Sequence, residues 1–188
     1  MEKGKVIVIV APSGSGKTTL IQRIKKEFPE IVESISHTTR PMRPLEVHGE
    51  SYFFTDEKNF NKMVEKNEFL EWAVVHENYY GTSKVFLMNE ITEGKSVLCD
   101  IDVQGADNVK DFFKDDSITI FIAPPSIDEL RARLEGRGTE TEEVINIRIN
   151  NAKRELLRKD DYDYCVVNDD LEKAYVELKE LFSRIIEE

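Results

Sequence analysis

The sequence predicts an α/β fold, a parallel sheet covered by helices on both faces. Five short apolar runs have the character of buried strands, and amphipathic segments alternate with them. The runs cover 5–10, 32–36, 96–101, 117–123 and 162–168. Because strands buried on both faces are almost continuously apolar, these runs favour a parallel sheet. At 188 residues, the chain suits one domain with a substantial core.

Hydrophobic spacing and capping residues place helices between the strands. The predicted helices cover 17–28, 83–94, 126–138, 139–159 and 169–188. Ser83 is the expected N-cap of the second. Capping boxes are expected at Ser126 with Glu129 and at Thr139 with Glu142.

Residues 37–82 interrupt this alternation. They contain a short predicted helix at 56–67 and a loosely alternating run at 69–75. We expect a small mixed α+β insertion over the carboxyl ends of the parallel strands, where open α/β sheets bind ligands. We therefore expect one domain with three parts: a core of 1–36, 83–125 and 158–188, the insertion 37–82, and a helical lid, 126–157.

The charge balance excludes a nucleic-acid-binding footprint across the whole fold. The 26 basic and 37 acidic residues give a net charge of −11. No apolar segment approaches the ~20 residues of a membrane span, and we expect no signal peptide. The side chains of Cys99 and Cys165 are expected to be buried. We expect the protein to work in a reducing compartment, most simply the cytoplasm. Oligomeric state stays open.

The stretch APSGSGKTT, residues 11–19, predicts a phosphate-binding loop. Gly14 and Gly16 permit positive φ, while Lys17 can reach the β- and γ-phosphates and the Thr18 hydroxyl can bind Mg²⁺. Ala11 replaces the first glycine of the pattern, and its methyl is tolerable if its φ is negative. The alternative is a glycine-rich strand–helix turn without a ligand.

Other charged residues suggest phosphate chemistry. Asp100 and Asp102 end an apolar strand beside the loop, where they would organise Mg²⁺ or cap the next helix. Arg40 and Arg43 suit a fixed phosphate, or else belong to a solvated loop. Further arginines lie on the two lid helices, where Arg131 and Arg154 favour a salt-bridged surface: Arg131, Arg133, Arg137, Arg148 and Arg154.

The remaining candidates carry weaker signals. His37, His48 and His76 have no visible base partner, so surface or turn positions are expected. Trp72 is expected in the core. Glu71 would then face the opposite side, toward the cleft.

Several segments in order along the chain resemble the guanylate kinase family. They are APSGSGKTT (11–19), SISHTTRPMRPLEVHGESYFF (34–54), FLEWAVVHENYYGT (69–82), LCDIDVQGA (98–106), IFIAPPS (120–126), LRARLEGRG (130–138) and VVNDDL (166–171). The resemblance covers about residues 4–171, and Ala11 is its one clear departure from the family pattern. It implies a P-loop NTPase-type parallel sheet with a nucleoside-monophosphate-binding insertion and a helical lid.

The resemblance also implies site residues. The ATP-binding loop is Pro12, Ser13, Gly14, Ser15, Gly16, Lys17, Thr18 and Thr19. The residues that hold the transferring phosphoryl group are Lys17, Arg137 and Arg148, and Mg²⁺ is held by Thr18 with Asp100. The residues that clamp the GMP phosphate are Ser36, Arg40, Arg43, Tyr52 and Tyr80. Guanine is recognised by Glu71, Thr82 and Asp102, and adenine is bordered by Arg133 and Asn168.

The implied reaction is ATP + GMP ⇌ ADP + GDP, with dGMP as a second expected acceptor. Guanine offers N1–H and N2–H₂ donors to the Glu71 carboxylate and an O6 acceptor to the Thr82 hydroxyl. Two alternatives remain: a P-loop phosphotransferase with another acceptor, and a guanylate-kinase-like module that docks proteins without catalysis. The basic and hydroxyl residues retained in both halves of the site favour the enzyme.

Overall fold

A computed structural model of the protein describes residues 3–75, 77–136, 138 and 140–187, with only the backbone described at Val75. Its strands are β1 Val6–Val10, β2 Val32–Glu33, β3 His37–Thr38, β4 Phe53–Phe54, β5 Phe69–Val75, β6 Asn78–Ser83, β7 Val97–Asp100, β8 Ser117–Ala123 and β9 Tyr164–Val167. Its helices are α1 Lys17–Glu27, α2 Glu57–Glu65, α3 Lys84–Thr92, α4 Val103–Phe113, α5 Ile127–Glu135, α6 Glu142–Leu156 and α7 Leu171–Glu187. Two 3₁₀ turns cover Lys114–Asp116 and Lys159–Asp161.

The main sheet is parallel throughout, in the order β2-β7-β1-β8-β9. All five residues of the central strand β1 are fully buried, and alternate residues pack on opposite faces. Ile7 and Ile9 pack in a core with α1 and α7, whereas Val6, Val8 and Val10 pack with α3 and α4. The predicted α/β fold with helices on both faces is confirmed.

A second, mixed sheet is formed in the order β4-β3-β6-β5. β3 is parallel to β4 and antiparallel to β6, which in turn pairs antiparallel with β5. Helix α2 packs on this sheet through Phe60, whose ring stacks on Phe69 at 4.5 Å. Helix α4 contacts β5, so this sheet adjoins the edge where the main strands end.

Three predictions about exposure and strand length are wrong, and each concerns an edge of a sheet. Trp72 is 46% exposed, because β5 is an edge strand. Cys165 is exposed because it lies in β9, an edge strand of the main sheet in which only Val166 is buried. Cys99 is buried as predicted. The predicted strand over 32–36 ends at Glu33, since the chain then leaves the main sheet for β3.

The helix caps are largely those predicted. Ser83 accepts from the Phe86 amide, and Ser126 accepts from the Glu129 amide. Helix α6 is capped by Thr141, which directly precedes Glu142, rather than by Thr139. Thr139 itself lies outside the described residues, and both threonines fit the sequence preference for a cap.

Helices α5 and α6 form a hairpin with a small core of its own. Leu130 and Leu134 of α5 pack against Ile145 and Ile149 of α6. Among the described residues, no helix is long and apolar enough to cross a membrane.

Candidate active site at the carboxyl edge of the parallel sheet

The loop between β1 and α1 has the geometry of a phosphate cradle. Gly14 and Gly16 have φ of 97° and 87°, so both occupy the left-handed region that glycine favours. The Ser15 amide donates to the Pro12 carbonyl at 3.1 Å, which closes the turn. Ala11 does not have a positive φ and packs against the core, so its methyl is accommodated without backbone strain.

Lys17 connects this loop to the end of β7. Its Nζ lies 2.5 Å from Asp100 Oδ1 and donates to the Ile101 carbonyl at 3.4 Å. The Thr18 and Thr19 side chains are exposed at the mouth of the loop. A cavity of about 390 Å³ in front of the loop also contacts Glu155 of α6, a residue that the sequence analysis did not single out.

Arg148 brings helix α6 to the loop. Its Nη1 donates to Ser13 Oγ at 2.5 Å, and its Nη2 lies 2.7 Å from Glu140 Oε1. Arg137 lies outside the described residues. Arg131 binds Glu135 and Asn146 on the exposed side of the hairpin, as the salt-bridged alternative predicted.

Asn168 supports the phosphate loop from behind. It is 4% exposed, and its Nδ2 donates to the Ser15 carbonyl at 2.7 Å. Arg133 donates in turn to the Asn168 carbonyl at 3.0 Å. A Cβ at Gly16 would overlap the Asn168 amide nitrogen, so a side chain there would have to displace Asn168 in addition to adopting a positive φ.

A second cluster of basic and aromatic residues lies on the mixed sheet and its loop. Arg40 Nη2 lies 2.6 Å from Glu46 Oε1, and the Arg43 amide donates to Glu46 Oε2 at 2.8 Å. The guanidinium lies 5.5 Å from the Tyr52 ring centroid, and the Tyr52 and Tyr80 centroids are 5.9 Å apart. The hydrogen bond from Arg40 lowers the pKa of Glu46, and the Arg43 amide adds to this effect.

The neighbouring Ser36 lies between β2 and β3. Its carbonyl accepts from the Phe53 amide at 2.9 Å, and its hydroxyl makes no hydrogen bond to the part of the chain that the structure describes. Glu46 was not assigned a role from the sequence. Its contact with Arg43 is local, because the carboxylate accepts from the amide of a residue only three positions away.

Glu71, Thr82 and Asp102 lie close together. Thr82 Oγ1 donates to Glu71 Oε1 at 2.6 Å, and Thr82 is fully buried. Burial raises the pKa of Glu71, the Thr82 hydrogen bond partly offsets this, and the Asp102 charge adds to the increase. Glu71 and Asp102 both line a cavity of about 270 Å³.

Asp102 also has the helix-capping role that was the alternative for this acid. Its Oδ1 accepts from the Gly105 amide at 2.8 Å, at the start of α4. The two acids at the end of β7 therefore have different partners. Asp100 pairs with Lys17, whereas Asp102 caps a helix and faces Glu71.

The surface or turn position expected for His37 is wrong. It lies in β3, half-buried, with its ring stacked on Phe53 at 4.9 Å. Its Nδ1 is buried and has no hydrogen-bond partner among the described residues. Burial lowers the pKa of His37; Glu68 opposes this effect and His48 adds to it. His48 accepts from the Phe54 amide in a loop, and His76 lies outside the described residues.

Comparison with known proteins agrees with this geometry. The Guanylate kinase family profile matches residues 3–185. A guanylate kinase from Thermotoga maritima is 49% identical over 172 residues, 92% of this chain and 83% of the relative. One from Hyphomonas neptunium is 47% identical over 179 residues, with 95% and 82% covered.

A solved structure supports the same assignment. The crystal structure of guanylate kinase from Anaplasma phagocytophilum superimposes with a TM-score of 0.73 at 30% identity, covering 98% of this chain and 87% of that one. Sequence and fold therefore agree, and the chain belongs to the guanylate kinase family.

Proposed function

We propose that this protein is an enzyme that transfers the γ-phosphoryl group of ATP to GMP, with dGMP as a second acceptor. The observation that supports the proposal is the presence of two separate clusters in one chain, each with the basic residues that a phosphate group requires. The donor cluster is built on the loop around Lys17, and the acceptor cluster is built on Arg40 and the mixed sheet.

In the donor half, we propose that the loop amides, Lys17 and Arg148 bind the phosphates of ATP. Arg148 already contacts Ser13 of the loop, so charge from helix α6 is available where the phosphoryl group would move. Arg137 is proposed for the same role on the sequence resemblance alone. Phosphoryl transfer depends mainly on alignment and charge stabilisation, so no protein nucleophile is needed.

Thr18 and Asp100 fit the requirements of Mg²⁺. Magnesium prefers oxygen ligands and uses few protein side chains together with substrate phosphates. The exposed Thr18 hydroxyl and the partly exposed Asp100 carboxylate are oxygen donors at the two sides of Lys17. When bound, Mg²⁺ would neutralise charge on the β- and γ-phosphates.

In the acceptor half, we propose that Arg40, Arg43, Tyr52, Tyr80 and Ser36 clamp the phosphate of GMP. Arginine suits this task because its planar guanidinium donates two parallel hydrogen bonds to phosphate oxygens. The existing contact of Arg40 with Glu46 fixes the guanidinium before the nucleotide arrives.

We propose that the Glu71 carboxylate accepts from N1–H and N2–H₂ of guanine, and that Asp102 lies beside it. Thr82 has one hydroxyl hydrogen, which it donates to Glu71, so its proposed role is to orient that carboxylate. Adenine would present a lone pair at N1 to Glu71 and would leave buried polar groups unpaired, which is costly.

Residues 37–82 and 126–157 are proposed as the two parts that close over the substrates and exclude water. Arg133 and Asn168 are proposed to border the adenine, with Asn168 acting at least on the phosphate loop. The free thiols of Cys99 and Cys165 support the cytoplasm as the proposed compartment.

A coupled assay of ADP release tests the proposal. With ATP as donor, we expect turnover with GMP and dGMP and at most about a ten-thousandth of the GMP kcat/KM with AMP, CMP or UMP. Equal turnover of AMP would refute guanine recognition. Absence of ADP release with every acceptor, despite nucleotide binding, would indicate a docking module instead.

A further inference from the structure

Glu155 brings a negative charge into the donor site. It lies in the last turn of α6, half-buried. It contacts the same cavity as most residues of the phosphate loop, among them Lys17 and Thr18. It belongs to none of the side chains proposed above to bind ATP, GMP or Mg²⁺. Nothing in its sequence neighbourhood marks it, because it stands among other charged residues of a surface helix.

The cations at this site already have carboxylate partners. Lys17 is paired with Asp100, and Arg148 is paired with Glu140. The Glu155 carboxylate, by contrast, makes no ion pair or side-chain hydrogen bond within the described ranges. It therefore leaves a negative charge facing the place where the triphosphate would lie.

Such a charge affects free ATP and its magnesium complex differently. A divalent cation removes two negative charges from the triphosphate, and repulsion between like charges is strong in a partly buried site. We propose that Glu155 makes the donor site select metal-bound triphosphate over the metal-free form. This inference rests on the proposed function, since it assumes that the loop binds ATP.

The ionisation of Glu155 follows from its neighbours. Burial raises the pKa of Glu155, the Lys17 charge opposes this, and the Asp102 charge adds to the increase. The measurements are therefore made at about pH 8, far above the usual range of a carboxyl group.

Calorimetry with the full chain measures the selection directly. The dissociation constant of ATP is determined with excess EDTA and again with excess Mg²⁺, and the ratio of the two constants is the readout. The variants are Glu155→Gln, Glu155→Met, the charge-conserving Glu155→Asp, and Glu177→Gln. The last removes an equal charge from the exposed surface of α7, and circular dichroism checks the fold of each.

We expect the ratio to fall at least about tenfold in Glu155→Gln and Glu155→Met, mainly because metal-free ATP binds more tightly. Glu155→Asp and Glu177→Gln should stay within about threefold of wild type. A ratio unchanged in whichever neutral variant folds overturns the inference. If the wild-type protein binds neither form of ATP, the proposed function itself fails, which is a distinct result.

Discussion

The ammonium nitrogen of Lys17 lies 2.5 Å from a carboxylate oxygen of Asp100, so the phosphate loop and the end of β7 are joined by one ion pair. The lysine is thereby oriented at the mouth of the loop. A bound triphosphate would share this lysine with the acid, which places the proposed metal ligand next to the proposed phosphate ligand.

Replacement of Lys17 by alanine should lower kcat at least about a thousandfold, because its charge is proposed to stabilise the transferring phosphoryl group. The coupled ADP assay measures the effect, and thermal unfolding should show a folded protein. Lys25→Ala is the matched control, since Lys25 lies on the same helix in an exposed pair with Glu33. A Lys17 variant within tenfold of wild type would disprove the assigned role.

Replacement of Glu71 by glutamine should weaken GMP binding at least about a hundredfold and leave ATP binding within about threefold. The glutamine NH₂ group would face the N1–H or N2–H₂ donors of guanine. Two hydrogen-bond donors would then oppose each other, and at least one of them would stay buried without an acceptor. Calorimetry with each nucleotide measures both constants. Glu65→Gln, an exposed change on α2, serves as the control, and equal losses for both nucleotides would count against guanine recognition.

Replacement of Glu46 by alanine should raise the KM for GMP about tenfold with kcat within about threefold, because the arginine loop loses its preorganisation. Steady-state kinetics with varied GMP measures the effect. Glu50→Ala is the matched change, since Glu50 is exposed on the same loop. A decrease in KM would mean that Glu46 competes with the phosphate for Arg40 instead of orienting it.

The half-buried His37 should make the free energy of unfolding depend on pH. Its folded-state pKa is lowered by burial, so the unfolded chain binds the proton first as the pH falls below the ordinary value of about 6.5. The stability that the neutral His37 ring contributes to the folded protein is therefore fully present above pH about 6.5 and is lost as the pH falls. Melting temperatures from pH 8 to 5 should fall less steeply in His37→Phe, which keeps a ring on Phe53; parallel curves would contradict this.

Asn168 should affect ATP through the phosphate loop. Asn168→Ala leaves the Ser15 carbonyl without its donor, and we expect inorganic tripolyphosphate and ATP to lose affinity by similar factors, about tenfold. Calorimetry with both ligands distinguishes this from contact with adenine. A loss confined to ATP would assign Asn168 to the base alone.

The sheet and the phosphate loop could be predicted from the sequence because their signals are local. A run such as VIVIV is apolar throughout since β1 is buried on both faces, and the loop requires glycine at positions 14 and 16. Edge positions carry no such signal. Trp72 and Cys165 are apolar by type, yet they lie on edge strands, and only the strand order determines their exposure.

Contacts made by polar side chains over long sequence distances could not be predicted either. Asn168 reaches the Ser15 carbonyl across 153 positions, and Glu155 reaches the loop only because the α5–α6 hairpin folds back. Each is one polar residue among many, so its partner is known only once the fold is known. Glu46 differs, because it lies three residues from Arg43 and its contact is local.

The packing of Gly16 against the Asn168 amide has a consequence for how this chain can vary. A side chain at position 16 overlaps the amide, so it is admissible only together with a smaller residue at position 168. Even then, the positive φ at position 16 penalises any side chain. A change at position 16 is therefore expected only in chains already altered at position 168, whereas a change at position 168 does not require one at position 16.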